Sequence, residues 1–284
     1  MTAAEEWSWN TCWISAERLG ILSMHSINVH SWSELMDRLY DESWRPEINR
    51  FRSPFVYRGL SDADYPLVTS LIRLHGNYHQ MEPHLLRNFR KYAHRNIVER
   101  DTTWHWLSLA QHHGLPSRLL DWTVSPLVAA HFATVNTMRY DRDGVIWMVN
   151  SRKVHSMLPE KLKSEIDREG ADYFTVEMLA RVVPNLTDLD ALAPPAFAIF
   201  FEPPSIDDRI TNQFALFSVM PDVNSRLDDW LKNHPDLWRK IIIPAKLKWE
   251  IRDKLDQANV TERVLFPGLD GLSQWQKRYY TPKA

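Results

Sequence analysis

Glycine is scarce in this chain: its 284 residues include 8, where average usage of about 7% would supply roughly 20. Few positions can therefore take a positive φ without strain. Neither G-x-G-x-x-G nor G-x-x-x-x-G-K-[ST] can be written anywhere in it, which excludes the two commonest glycine-based nucleotide cradles. Any nucleotide bound here is held by other means. Cysteine is scarcer still: Cys12 stands alone, so an intramolecular disulfide framework and a cysteine-based zinc site are excluded. Such usage fits a reducing compartment, and the expected location is the cytoplasm. The opening stretch MTAAEEWSWNTCW carries Glu5 and Glu6 in place of a basic leader, and no run of 18 apolar residues follows, so neither secretion nor membrane spanning has a signal. A net charge of −2 selects no partner, and contact with nucleic acid would need a local basic surface. What remains is the composition of a globular chain, 44% hydrophobic and 25% charged, rich in proline (17) and tryptophan (13).

No repeat or Gly/Ser linker divides the chain, which reads as a short extension (1–27) followed by one domain (28–284). Ser31 with Glu34 has capping-box spacing ahead of Leu35 and Leu39, predicting a helix to about Asp41. Phe55-Val56-Tyr57 reads as a strand running into a turn at Arg58-Gly59. Leu85, Leu86, Phe89, Ala93 and Ile97 recur at helical spacing, predicting a helix from Pro83 to about Val98; a second follows from Trp104 to Gln111. Leu119 to Trp122 reads as a short strand, and Ser125-Pro126 as the start of a helix through Ala133. Further strands are expected at 144–149, 197–201, 213–219 and 240–243, with helices near 160–168, 226–232 and 247–255. Strands and helices do not alternate at a steady interval, so the expected class is α/β in the α+β sense: a compact sheet packed by helices.

Four groups of residues could carry chemistry. Arg58, beside Tyr57 and Gly59, can present a guanidinium fork to a diphosphate or carboxylate, or simply pair with an acid beside a turn. The stretch from Leu109 to Ala133 crowds Gln111, His112, Arg118, Asp121, Thr123 and Ser125 into connections. His112-His113 neighbours diverge too far to chelate one metal without a third ligand, so no metal is expected. Ser125 precedes proline as a helix cap does and lacks the surroundings of a nucleophile elbow. Gln213, expected to open a strand, offers an acceptor and a donor but cannot act as a base; it faces a cleft or lies at a sheet edge. Arg87, Arg90, Lys91 and Arg95 group on one side of the 83–98 helix, as a solvated face or a phosphate-binding one. Trp104 and Trp106 are expected in the core.

Taken together the blocks resemble the FRG domain, named for a Phe-Arg-Gly or Tyr-Arg-Gly element. Tyr57-Arg58-Gly59 is followed by Ser61-Asp62, Tyr65-Pro66-Leu67 and Ser70 to Arg73. The likeness continues through Ala110 to Ala133, Arg209 to Phe217 and Leu265 to Leu272, spanning roughly residues 28 to 278. The pattern is itself similar to ADP-ribosyltransferases of the Arg-Ser-Glu type. That likeness implies NAD as co-substrate, held by Tyr57, Arg58, Gly59, Gln111, Arg118, Trp122, Thr123 and Ser125. Gln213 stands where the catalytic glutamate would be, so it keeps a hydrogen bond and loses a charge. Asp121 or Glu262 is then expected to supply the charge, with Arg58, Asp121, His112 and Gln213 forming the catalytic group.

The resemblance thus implies an ADP-ribosyltransferase with a macromolecular acceptor. The basic helix inclines the acceptor toward RNA or DNA over protein, with Arg87, Arg90, Lys91 and Arg95 as its candidate contacts. Such an activity in a bacterial cytoplasm is toxic, which implies a toxin or phage-defence role and an antitoxin or inhibitor protein as partner. Two other classes stay open: a non-catalytic NAD- or ADP-ribose-binding module, favoured by Gln213, and a metal- or water-dependent hydrolase or nuclease using the histidines.

Overall fold

The computed structural model describes residues 25–93 and 101–283, so Cys12, most of the expected N-terminal extension and Arg95 lie outside the described residues. Ten strands are described: β1 (Ser26–Asn28), β2 (Trp44–Arg45), β3 (Arg50–Phe51), β4 (Phe55–Leu60), β5 (Leu120–Thr123), β6 (Gly144–Asn150), β7 (Phe174–Thr175), β8 (Ile199–Glu202), β9 (Ala215–Val219) and β10 (Trp238–Ile243). Eight of them form one mixed sheet in the order β1-β10-β6-β4-β5-β9-β8-β7, while β2 and β3 pair separately. The large sheet is antiparallel except at its ends, where β1 runs parallel to β10 and β7 to β8. The α+β class expected from the irregular strand spacing is the one observed.

Two-residue alternation decides which side chains face which layer. Phe55 and Tyr57 of β4, Ile146 and Met148 of β6, and Ile241 and Ile243 of β10 bury with Leu35, Leu39, Ala129, Ala133, Ile251 and Leu255, from helices Trp32–Tyr40, Pro126–Thr134 and Lys248–Gln257. Their neighbours Val56, Val145, Trp147, Val149 and Trp238 fill the opposite face. Beyond β5, Phe217 and Val219 join a third cluster built on helices Thr103–His112, Glu160–Glu169 and Val176–Val182. Trp104 and Trp106 lie in that cluster, as expected, with their indole N–H groups bound to the Val183 carbonyl and to Asp101.

Helix starts follow their caps. Ser31 accepts from Glu34 N at 3.1 Å, and Glu34 reaches back to His30 N at 2.9 Å, one residue before the cap. Thr102 caps Thr103–His112, and Ser125 caps Pro126–Thr134. Most boundaries shift by one or two residues, and three assignments differ more. The helix placed at 83–98 runs over Tyr78–Ala93, with Pro83 inside it; residues beyond Ala93 on that side lie outside the described range. Proline removes one helical hydrogen bond, and tertiary contacts hold the turn around it: Glu82 is buried against Arg118 and Leu86 packs in the core. The strand placed at Phe55–Tyr57 continues to Leu60, so Gly59 is not a turn residue. A Cβ there would sit 1.8 Å from the Ala129 carbonyl oxygen, and its absence lets helix Pro126–Thr134 lie directly on β4. Gln213 does not open a strand either. It closes helix Asp208–Asn212, whose cap Asp207 accepts from Ile210 N at 3.1 Å, and β9 starts only at Ala215, after Phe214 at φ 48°.

One irregularity positions the site. β4 pairs with β6 over six residues and β5 with β9 over four, yet β4 and β5 share only the pair Tyr57↔Thr123. The sheet is two half-sheets that meet at one point and part beside it.

Candidate functional site

Where the halves part lies an open cleft of about 200 Å³, smaller than the roughly 300–1,000 Å³ usual for small-molecule sites. Arg58 and Gly59 of β4 form one wall and Asp121, Trp122 and Thr123 of β5 the other. Gln111 and His112 enter from the end of helix Thr103–His112, Phe132 from helix Pro126–Thr134, and Arg209 and Gln213 from helix Asp208–Asn212 and its cap.

Arg58 is the centre of the arrangement. Its Nη1 donates to the backbone carbonyl of Asp121, which the interrupted β4–β5 ladder leaves beside the gap, and lies 3.7 Å from the Asp121 carboxylate. Burial pulls its guanidinium below the ordinary arginine value, with Asp121 opposing the shift. The Asp121 carboxylate is exposed and also accepts from Gln111 Nε2 at 3.1 Å; Gln111 Oε1 is fixed in turn by Ser117 Oγ at 2.8 Å. The carboxylate is therefore oriented without being buried. His112 Nε2 is bound to Asp207, and desolvation still holds the imidazole below its usual range, so it is neutral at pH 7.

Gln213 is fixed on three sides: its N–H donates to the Arg209 carbonyl, its carbonyl accepts from Thr123 Oγ1 at 2.7 Å, and its Nε2 donates to the Leu265 carbonyl at 2.9 Å. Arg209 packs over the Phe266 ring, 4.8 Å from its centroid. Both Arg58 and Arg209 have a buried Nε–H with no hydrogen-bond partner. Neither Nε is open to the cleft, so each arginine can meet a ligand there only through its terminal guanidinium nitrogens.

The cleft thus brings together Tyr57, Arg58, Gly59, Gln111, His112, Asp121, Trp122, Thr123 and Gln213, with Asp121 63 residues beyond Arg58 and Gln213 90 beyond Thr123. It leaves out others. The Tyr57 hydroxyl turns away, donating to the Leu39 carbonyl and bonded to Ser53 Oγ, and burial raises its pKa to about 12. Trp122 directs its indole N–H to Ser218. Arg118 does not face the cleft: it is buried between Glu82 and Asp190, which take up its charge. Ser125 is occupied as a helix cap, and Glu262 is buried in a pair with Arg278, so of the two acids expected to supply charge only Asp121 lines the cleft. Arg87, Arg90 and Lys91 lie on helix Tyr78–Ala93 away from it, with Arg90 bound to Asp101. Arg209 opens the Arg209–Phe217 block noted in the sequence but has no role assigned there, and Asp207 is not singled out at all. Asp207-Asp208 ahead of Ile210 is a helix-start signal that would have placed Arg209 on a helix facing the site.

Among the described residues, no group of three or more His, Cys, Asp or Glu is placed to hold a metal ion, and no helix is long and apolar enough to cross a membrane. The chain matches no curated protein and no solved structure. Residues 53–142, which hold β4, β5 and the Gln111–His112 corner of the cleft, match the FRG domain family model, and the chain carries an FRG domain there.

Proposed function

We propose that the cleft binds NAD and that the protein transfers its ADP-ribosyl group to a macromolecular acceptor. The observation that carries this reading is that two arginines, Arg58 and Arg209, line the same cleft as the Asp121 carboxylate, which Gln111 holds in place at the parting of the sheet. Two guanidinium forks suit a diphosphate, which supplies several acceptor oxygens in one plane or another of the cleft. Phe132 adds apolar wall for a flat ring.

Each residue then has a chemical task. The glycosidic bond between the ribose C1′ and nicotinamide breaks, and the bonding pair leaves with nicotinamide. Asp121 opposes the positive charge that develops at C1′, a role for a carboxylate held in place by Gln111. Gln213 holds a ribose hydroxyl through its side-chain oxygen. The acceptor atom bonds to C1′ and gives up its proton to neutral His112, whose Nε2 is already engaged with Asp207 and whose Nδ1 is the basic nitrogen. Arg87 and Lys91, exposed on their helix, favour RNA or DNA as acceptor, and such an activity suits a toxin or defence effector held in check by a partner protein.

A second reading, binding without turnover, has Gln213 in its favour: an amide holds a hydroxyl and contributes no charge. The two readings separate on incubation with NAD labelled in its adenylate portion, together with purified RNA, DNA or lysate protein. Label joined to nucleic acid is the expected result. NAD bound tightly with no label transferred and no nicotinamide released contradicts the transferase and leaves the binding module.

A further inference from the structure

We infer that position 213 is built for an amide: the Leu265 carbonyl admits only a hydrogen-bond donor there, so Gln213 presents its oxygen to the cleft as a fixed, uncharged acceptor. Two successive side chains make the same kind of contact. Asn212 Nδ2 donates to the Val264 carbonyl at 2.8 Å, and Gln213 Nε2 donates to the Leu265 carbonyl at 2.9 Å. These carbonyls stand at the end of helix Glu262–Leu265, where no later turn supplies partners. A carbonyl oxygen has no proton to give, so a glutamate at 213 would set oxygen against oxygen and leave both without a donor. The amide is therefore a fitted group, distinct from a glutamate that has lost its charge.

The strap that carries Leu265 is itself held. Arg278 Nη2 binds Glu262 at 2.8 Å and Asp256 at 2.7 Å, tying the C-terminal helix Leu269–Tyr279 to the strap. Gly271 lies so close that a Cβ would come within 1.9 Å of the Phe266 carbonyl oxygen. Arg278 and Gly271 are positioning residues for the cleft, acting through a segment outside the matched 53–142 region. The assignment of a ribose hydroxyl to Gln213 rests on the proposed function; the amide requirement does not.

The test uses the full chain as wild type, Gln213→Glu and Gln213→Ala, with thermal unfolding and NAD titration from pH 8 down to pH 5. The charged groups lining the same cleft or carried by the strap are Arg58, Arg209, Asp121, His112, Glu262 and Arg263, all common to the three proteins. Their own titration cancels between wild type and Gln213→Ala, neither of which carries a charge at 213, and that pair is the reference for Gln213→Glu. At pH 8 Gln213→Glu is expected to melt about 2–6 °C below wild type and to lose NAD affinity by about tenfold. Both deficits shrink as pH falls, because a protonated carboxyl group donates to the Leu265 carbonyl; the Gln213→Ala deficit stays constant. Should Gln213→Glu fold only at the acid end, that too supports the inference. Stability equal to wild type at pH 8, a deficit independent of pH, faster nicotinamide release than wild type, or failure to fold at both ends while Gln213→Ala folds, each overturns it. Absence of NAD binding by wild type removes the proposed function and leaves the pH-dependent stability pattern to decide the amide requirement.

Discussion

Arg58 crosses the gap where the β4–β5 ladder stops and donates to the Asp121 carbonyl, a task a strand neighbour usually performs. One guanidinium thus closes the sheet and lines the cleft. Lysine can copy neither the fork nor its reach. Arg58→Lys is expected to cost about 1–3 kcal/mol in urea denaturation and to weaken NAD binding by at least about tenfold by calorimetry; unchanged values for both contradict the assignment. Asp121→Asn separates charge from shape, since the amide oxygen still accepts from Gln111. Nicotinamide release should fall by about 100-fold with NAD affinity altered by less than about threefold. An equal loss in both would make Asp121 a binding residue only. Much of this residue list was legible in the sequence because Arg58, Gln111, His112, Asp121 and Thr123 are polar residues in short apolar segments, near the ends of β4, β5 and helix Thr103–His112. Arg118 was misplaced for a physical reason: its polarity is spent on Glu82 and Asp190, and Asp190 is 72 residues away in the chain. No local pattern shows that.

The elements that could be read were those fixed by local rules. Ser31, Thr102 and Ser125 cap helices because their side chains satisfy N–H groups three residues on. The unbroken apolar run of β6 follows from burial on both faces. Gly59 shows where local rules stop: a glycine after Arg58 suggests a turn, but its lack of Cβ serves contact with a helix 70 residues later. Gly59→Ala is expected to destabilise by more than about 3 kcal/mol, or to leave no soluble protein, because the clash is with backbone that cannot give way. Gly114 makes the useful contrast. It has φ +81° and open space around it, so Gly114→Ala should cost only about 1 kcal/mol through backbone strain. Comparing the two urea midpoints checks the account; equal costs would mean that helix Pro126–Thr134 does not lie on β4 as described. The meeting of β4 and β5 at one residue pair had no signature in the sequence, because strand partners are chosen by the whole sheet.

At the scale of the molecule, buried histidines set the acid limit of stability. His155 takes the Phe200 N–H on Nε2 at 3.0 Å, with Nδ1 facing the Asp172 carbonyl at 3.1 Å, so only the neutral ring fits. Burial lowers its pKa from 6.5 to about 4, and His131, buried beside Arg252, moves the same way. A folded value below the unfolded one means that this stability is complete above pH about 6.5 and is lost as pH falls through about 4, a ceiling of about 3 kcal/mol for His155. Wild type should therefore lose stability between pH 7 and 4.5 in urea titrations, and His155→Gln should lose less over the same interval; equal pH dependence would show that His155 does not carry it. The cleft has the same whole-chain character, since its walls come from both half-sheets and its far side from the strap and the C-terminal helix. The match to the FRG domain covers the Arg58 to Thr123 side, while Arg209, Gln213 and Leu265 lie beyond it. The most direct test of the central claim is nicotinamide release from NAD by the full chain with RNA, DNA and lysate protein present, wild type beside Arg58→Ala. Release by wild type that falls by at least about 100-fold in Arg58→Ala is the predicted result. Equal release by the two proteins, or none by wild type under any condition, contradicts the claim that the parting of the sheet is an NAD-cleaving site.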